Sequence, residues 1–167
     1  MPIIDAVLAE FEHEANTTRR VLERVPEDRL DYKPHDRSMT LGRLAGHVAE
    51  IPFWAGPTFG QDVLDMSGGD FEPFIAGSRA ELLGRFEAGL DAFRQAAAGY
   101  PDARLFDQWA MKRGDEVLFA APRIGVVRSF LLSHLYHHRG QLSVYLRLLE
   151  VPVPSIYGPS ADDNPWG

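Results

Sequence analysis

The chain has 167 residues, a formal net charge of −7 and no cysteine. That length suits one domain, residues 1–167, with a core large enough to need no staples. The missing cysteines exclude disulfides, thiolate metal sites and an internal cysteine nucleophile. The acidic balance argues against nucleic acid as a partner, since basic residues come at most in pairs such as Arg19-Arg20 and Lys112-Arg113.

No apolar run reaches the length of a membrane span, so no membrane partner is expected. The start, Met1-Pro2-Ile3-Ile4-Asp5, has an early acid and no basic residue, unlike a secretion signal. The expected setting is the cytoplasm.

Helical periodicity recurs in four places. Ile4, Val7, Phe11, Thr18, Leu22 and Val25 form a first stripe that ends near Pro26. A second helix starts near Ser38 or Thr40, either of which can cap it. Its stripe is Leu41, Leu44, Val48 and Ile51, and Pro52, Gly56 and Pro57 kink or end it. Ser67-Gly68-Gly69-Asp70 reads as a loop. Ser78-Arg79-Ala80-Glu81 has the form of a capping box and opens a third helix with Leu82, Phe86, Leu90 and Phe93 inward. From Arg104 to Ala121 the helical period is lost; the segments flanking Arg113-Gly114-Asp115 read as a small hairpin or a loop. A fourth helix has Pro122 in its first turn and runs to about Glu150. The tail from Val151 to Ser160 is too proline-rich for regular structure, and Ile156 and Tyr157 are its expected anchors. The expectation is an all-α fold: an antiparallel four-helix bundle with a long crossover loop before the last helix and an irregular C-terminal tail.

The seam of the fourth helix reads Val127, Leu131, His134, His138, Gln141, Tyr145 and Leu148, which places two histidines where core residues belong. Residues four apart share a helix face, the second rotated by roughly 40°. Burying two imidazoles leaves polar groups to satisfy, and either a divalent metal or a buried polar network does so. His137 also shares a face with His134, but lies with Phe130, Ser133 and Gly140, off the seam. His47, with Leu44, Ile51 and Trp54, is inward on the second helix and is the natural third ligand. His13 and His35 read as surface residues.

The segment His134-x-x-His137-His138-Arg139-Gly140-Gln141-Leu142, then Tyr145-Leu146-Arg147 and Val153-Pro154-Ser155-Ile156-Tyr157-Gly158-Pro159-Ser160, resembles the DinB family. So does Thr40-Leu41-Gly42-x-Leu44-x-x-His47. The likeness runs in order along nearly the whole chain. It implies an antiparallel four-helix bundle, often dimeric, that holds a divalent metal on three histidines. By position these are His47, His134 and His138. Members with assigned activity include thiol-dependent transferases and isomerases that use thiols such as bacillithiol and mycothiol.

Three neutral imidazoles leave a bound cation its full charge and open positions, so a bound water ionises near neutral pH and a bound thiol deprotonates outright. The expected function is therefore a metal-dependent enzyme in which a thiol cosubstrate or water attacks a small electrophile, as in a thiol S-transferase. The alternatives are a metal-dependent hydrolase or a non-catalytic, stress-related metal binder. Zinc or nickel is expected ahead of iron, although histidine ligands suit all three and copper. No acid or base is assigned. Glu50, one turn from His47, and Gln141 and Tyr145, below His138, are the groups near the site. Each also has a structural reading: Glu50 solvated, Gln141 fixing a ring nitrogen, Tyr145 packing. Arg139 reads as a salt bridge or support for the tail.

Overall fold

The computed structural model describes residues 1–69 and 72–167. Asp70, at the end of the expected loop from Ser67, lies outside the described residues. The first three stripes become long helices. α1 (Ile3–Leu22) buries Ile4, Val7, Phe11, Thr18 and Leu22. α2 (Leu41–Glu50) opens on Thr40, whose hydroxyl accepts from Arg43 N–H at 3.1 Å. Pro52 has no N–H to continue the ladder. A 3₁₀ turn over Ile51–Trp54 follows instead and leads into the short α3 (Ala55–Gly60). α4 (Arg79–Ala97) starts at Ser78, which accepts from Glu81 N–H at 3.1 Å, while Glu81 accepts from Gly77 N–H at 2.9 Å. Its Phe93 stacks on Phe11 with ring centroids 3.7 Å apart.

The last helical stretch has three parts: α5 (Arg123–Val126), a π-helical segment over Val127–Ser133, and α6 (His134–Leu148). α1 and α2 each pack against both α4 and α6, and the core lies between these four helices.

The all-α expectation is overturned. A three-stranded mixed sheet accompanies the helices, in the order β1 (Val63–Asp65), β2 (Gln108–Arg113) and β3 (Glu116–Pro122). The long crossover is not all loop: a 3₁₀ turn at Asp102–Phe106 leads into the β2–β3 hairpin, the first of the two readings, hairpin or loop, of the segments around Arg113-Gly114-Asp115. Gly114 turns the hairpin with φ of 59°, a conformation in which a Cβ is strained. β1 pairs with β2 in parallel, Leu64 opposite Met111. Parallel strands need a crossover, and α4 supplies it. Helical periodicity could not reveal this sheet: β1 has only three residues, and β3 faces solvent along most of its length.

Beyond Leu148 the chain has no helix or strand, and Val153, Pro154 and Ser155 are buried. Arg139, 1% exposed, pairs with Glu14 at 2.7 Å and donates to Tyr157 Oη at 2.6 Å; that hydroxyl in turn donates to Glu14. The tail is thus pinned to α1 through Arg139, the supporting role expected of it. No helix among the described residues is long and apolar enough to cross a membrane.

Candidate metal centre

The π segment decides how the last helix presents its histidines. A π turn holds more residues than an α turn, so it advances the register of everything after it. The buried line accordingly runs Leu131, Leu135, Arg139, Leu142 and Leu146, one position later than the seam expected from His134 onward. Gln141 and Leu148, expected inside, are exposed. His134 and His138 fall on the flank of the core, half-buried, rather than within it. From that flank they meet His47 of α2, also half-buried.

His47, His134 and His138 form one cluster, with potential ligand atoms all within 4.8 Å of one another. Nε2 of His47 lies 3.1 Å from Nε2 of His134. The ring centroids are 4.5 Å apart for His47 and His138, and 4.7 Å for His134 and His138. The outward nitrogens are engaged differently. His138 Nδ1–H donates to Gln141 Oε1 at 2.8 Å, and His134 Nδ1–H donates to the Phe130 carbonyl at 3.3 Å. Both rings thereby turn a lone pair on Nε2 toward the cluster. Without a cation, His47 donates its Nε2–H to His134 and its own Nδ1 is left buried without a partner. The nearest acid is Glu50, whose Oε2 stands 3.9 Å from that Nδ1.

Burial lowers the pKa of all three rings. His47 is pushed from 6.5 down to about 4, first by desolvation, then by the neighbouring imidazoles of His138 and His134 and by Arg43. His134 and His138 are also lowered, again mainly by desolvation. The cluster is therefore neutral at physiological pH and presents lone pairs, not positive charge.

His137 is exposed and outside the cluster, although its ring lies 4.8 Å from that of His138. With Ser129, Phe130, Ser133 and His134 it lines a shallow pocket of about 390 Å³. His13 and His35 are on the surface. Tyr145 donates to the Met39 carbonyl at 3.1 Å and so ties the loop before α2 to α6.

Glu50 departs from its expected solvated state. It is 5% exposed, pairs with Arg43 at 3.2 Å and accepts from Phe74 N–H at 2.6 Å. Gly46 permits this contact: a Cβ there would stand 2.4 Å from the Phe74 carbonyl oxygen. The signal for Glu50 lay in its spacing, three residues after His47 and seven after Arg43, which puts all three on one helix face. Phe130, by contrast, contributes a backbone carbonyl, which no side-chain pattern could flag.

The DinB superfamily profile matches residues 10–142. The chain is 29% identical over 164 residues to YrdA of Bacillus subtilis strain 168, described as uncharacterized; the match covers 96% of this chain and 91% of YrdA. A DinB-like protein from Bacillus cereus ATCC 10987 superposes with a TM-score of 0.70 at 21% identity, over 92% of this chain and 97% of that one. A second DinB-like protein, YjoA from Bacillus subtilis, gives 0.67 at 16% identity, over 95% and 98%. At these identities the two structures speak for a shared fold.

Proposed function

The chain belongs to the DinB superfamily, and on that footing we propose that His47, His134 and His138 hold a divalent cation through their Nε2 atoms, for use in chemistry on a small electrophile. The observation that carries the reading is the convergence of three neutral rings, two with Nδ1 already tied to an acceptor. Two Nε2 atoms 3.1 Å apart are close to the separation of about 3.3 Å that two imidazole nitrogens take on a tetrahedral zinc. The unpartnered Nδ1 of His47 fits as well. With its Nε2 lone pair turned inward, His47 carries its proton on Nδ1, and Glu50 is the acceptor at hand.

A cation on three imidazoles supplies a position where a thiol or a water loses its proton near neutral pH. The protein's own residues do the rest. Gln141 and the Phe130 carbonyl fix two rings, and burial keeps all three unprotonated. The pocket lined by Ser129, Phe130, Ser133, His134 and His137 gives a small electrophile a place beside His134. A chain without cysteine has no thiol of its own, so a low-molecular-weight thiol cosubstrate supplies the nucleophile in a thiol S-transferase reaction. The same reading includes a homodimer, for which the exposed Phe106, Val117 and Leu118 offer apolar surface.

Cobalt loading tests the proposal. Adding bacillithiol, mycothiol or glutathione should produce a thiolate-to-metal charge-transfer band, absent from a His138→Ala variant. Cobalt binding without such a band at millimolar thiol would replace thiol transfer by water-based hydrolysis or simple metal binding. Failure to bind cobalt or zinc would overturn the metal site itself.

A further inference from the structure

A second cavity lies away from the histidines. It encloses about 790 Å³, within the range of small-molecule sites. None of the three histidines lines it. Its floor is apolar, with Phe53 and Trp54 from the 3₁₀ turn after α2, Leu64 from β1 and Met66 just beyond that strand. Two guanidinium groups stand on its walls, Arg85 from α4 and Arg113 from the end of β2.

These two cations are unlike most others in the chain. Arg19, Arg20, Arg43, Arg94, Arg104, Arg123, Arg128, Arg139 and Arg147 all pair with carboxylates. Among the described residues, Arg85 and Arg113 have no such partner. The Arg85 guanidinium stands over the Phe53 ring, 4.0 Å from its centroid, and makes no hydrogen bond among the described residues. Two carboxylates also reach the cavity wall, Glu50 and Asp65, and neither pairs with Arg85 or Arg113 among the described residues. Glu50 is held by Arg43 and by Phe74 N–H, as described above. Asp65 Oδ1 accepts from Ser67 N–H at 2.8 Å and from Gly114 N–H at 3.1 Å. The cavity thus combines an apolar floor with two guanidinium groups that no carboxylate among the described residues pairs with, and Asp65 has its Oδ1 taken by two backbone N–H groups.

We propose that this cavity binds a small organic carboxylate. Its anionic end meets Arg85 and Arg113, and its aromatic or aliphatic body lies on Trp54, Leu64 and Met66. The site is independent of the histidine cluster. Glu50 of the cavity wall faces the Nδ1 of His47, the nitrogen turned away from His134.

The probe is 4-phenylbutyrate, with neutral 4-phenylbutanol as its control, titrated calorimetrically into the full chain at neutral pH. The chain has three tryptophans, so the Trp54 indole signal in a proton–nitrogen spectrum reports where the probe sits. The acid should bind saturably, shift the Trp54 signal and exceed the alcohol in affinity. Arg85→Gln and Arg113→Gln, both on exposed side chains, should each weaken the acid by about tenfold and leave the alcohol unchanged. A His134→Ala variant should bind the acid as before. Equal affinity for acid and alcohol, indifference to both arginine variants, or loss of binding only in His134→Ala would each overturn the proposal. The last of these would place the carboxylate at the histidines instead.

Discussion

The histidine cluster and the arginine-walled cavity share the stretch Glu50–Trp54 as a partition, and they are built on opposite terms. Glu50 reaches toward His47 from the cavity wall, and Trp54 packs on Phe130, which flanks His134, at 5.7 Å between centroids. On one side, desolvation strips charge from three basic rings until only lone pairs remain. On the other, two guanidinium groups stay exposed and keep both their charge and their hydrogen-bond donors. The first arrangement invites a cation, the second an anion. The difference is one of burial, since basic side chains furnish both. Rigid helices set the first site, whereas a 3₁₀ turn, a three-residue strand and a hairpin set the second.

The sharpest way to break this pairing is to remove one ring. His47→Ala, His134→Ala or His138→Ala should each lower zinc affinity by about a hundredfold or more, since a three-ligand site shares its binding energy among few donors. Competition against a chromophoric chelator measures it. His137→Ala should leave the affinity intact, because that ring is exposed and outside the cluster. If His137→Ala abolished binding while His138→Ala spared it, the ligand assignment would be wrong.

How far each site was legible follows from how it is built. The helical site follows periodicity. The stripes of α1, α2 and α4 are buried as read, and the histidines at positions 47, 134 and 138 meet. Arg139, four residues after Leu135, was correctly turned away from the site. The expected seam was nevertheless one residue early from His134 onward. A 3.6-residue period carries no sign of a π turn, which is stabilised by tertiary packing rather than by residue type. The cavity was illegible for a different reason. Its walls come from α4, β1, β2 and the turn after α2, brought together by a parallel strand pairing across the whole of α4. Arg123 shows the same limit. It is completely buried, donates to the Thr58 and Gln61 carbonyls and pairs with Asp62 at 2.5 Å, yet in the sequence it is only the residue after Pro122.

The pH response of the metal-free chain sharpens the desolvation side of the comparison. His47 has a folded pKa of about 4 against 6.5 in its ordinary state, and His134 and His138 are lowered in the same direction. Above 6.5 the rings are neutral in both the folded and the unfolded chain, and the fold loses nothing. Between 6.5 and about 4 the unfolded chain takes up protons that the folded cluster refuses, so stability falls as pH drops through this window. The His47 contribution is on the order of 2 kcal/mol. Urea unfolding at a series of pH values checks it, with a His47→Asn variant showing a shallower decline. A metal-free chain that gained stability from pH 6.5 to 4.5 would mean that the cluster welcomes protons, and the neutral-ring account would fail.

The smallest expected effect falls on the partition itself. Glu50 has one oxygen on Phe74 N–H and the other between Arg43 and His47, where it is too distant for a hydrogen bond to the ring. It can accept from the ring only when His47 carries its proton on Nδ1, the tautomer that a cation on Nε2 would impose. On the proposed metal site, Glu50 would be a positioning residue whose hydrogen bond to the ring forms when the cation binds. Glu50→Gln keeps the shape and an acceptor oxygen but loses the charge. It should cost about tenfold in zinc affinity, at the low end for such supporting partners. The ring nitrogens of His47 give a readout that a purely structural role would not move. Their nitrogen-15 shifts in the zinc-loaded protein should move between wild type and Glu50→Gln, while those of His138, held by Gln141, should not. Carboxylate binding in the neighbouring cavity should be unimpaired, since the substitution removes a negative charge from its wall. If zinc affinity held steady while the acid probe weakened, Glu50 would belong to the cavity alone, and the partition would have one working face.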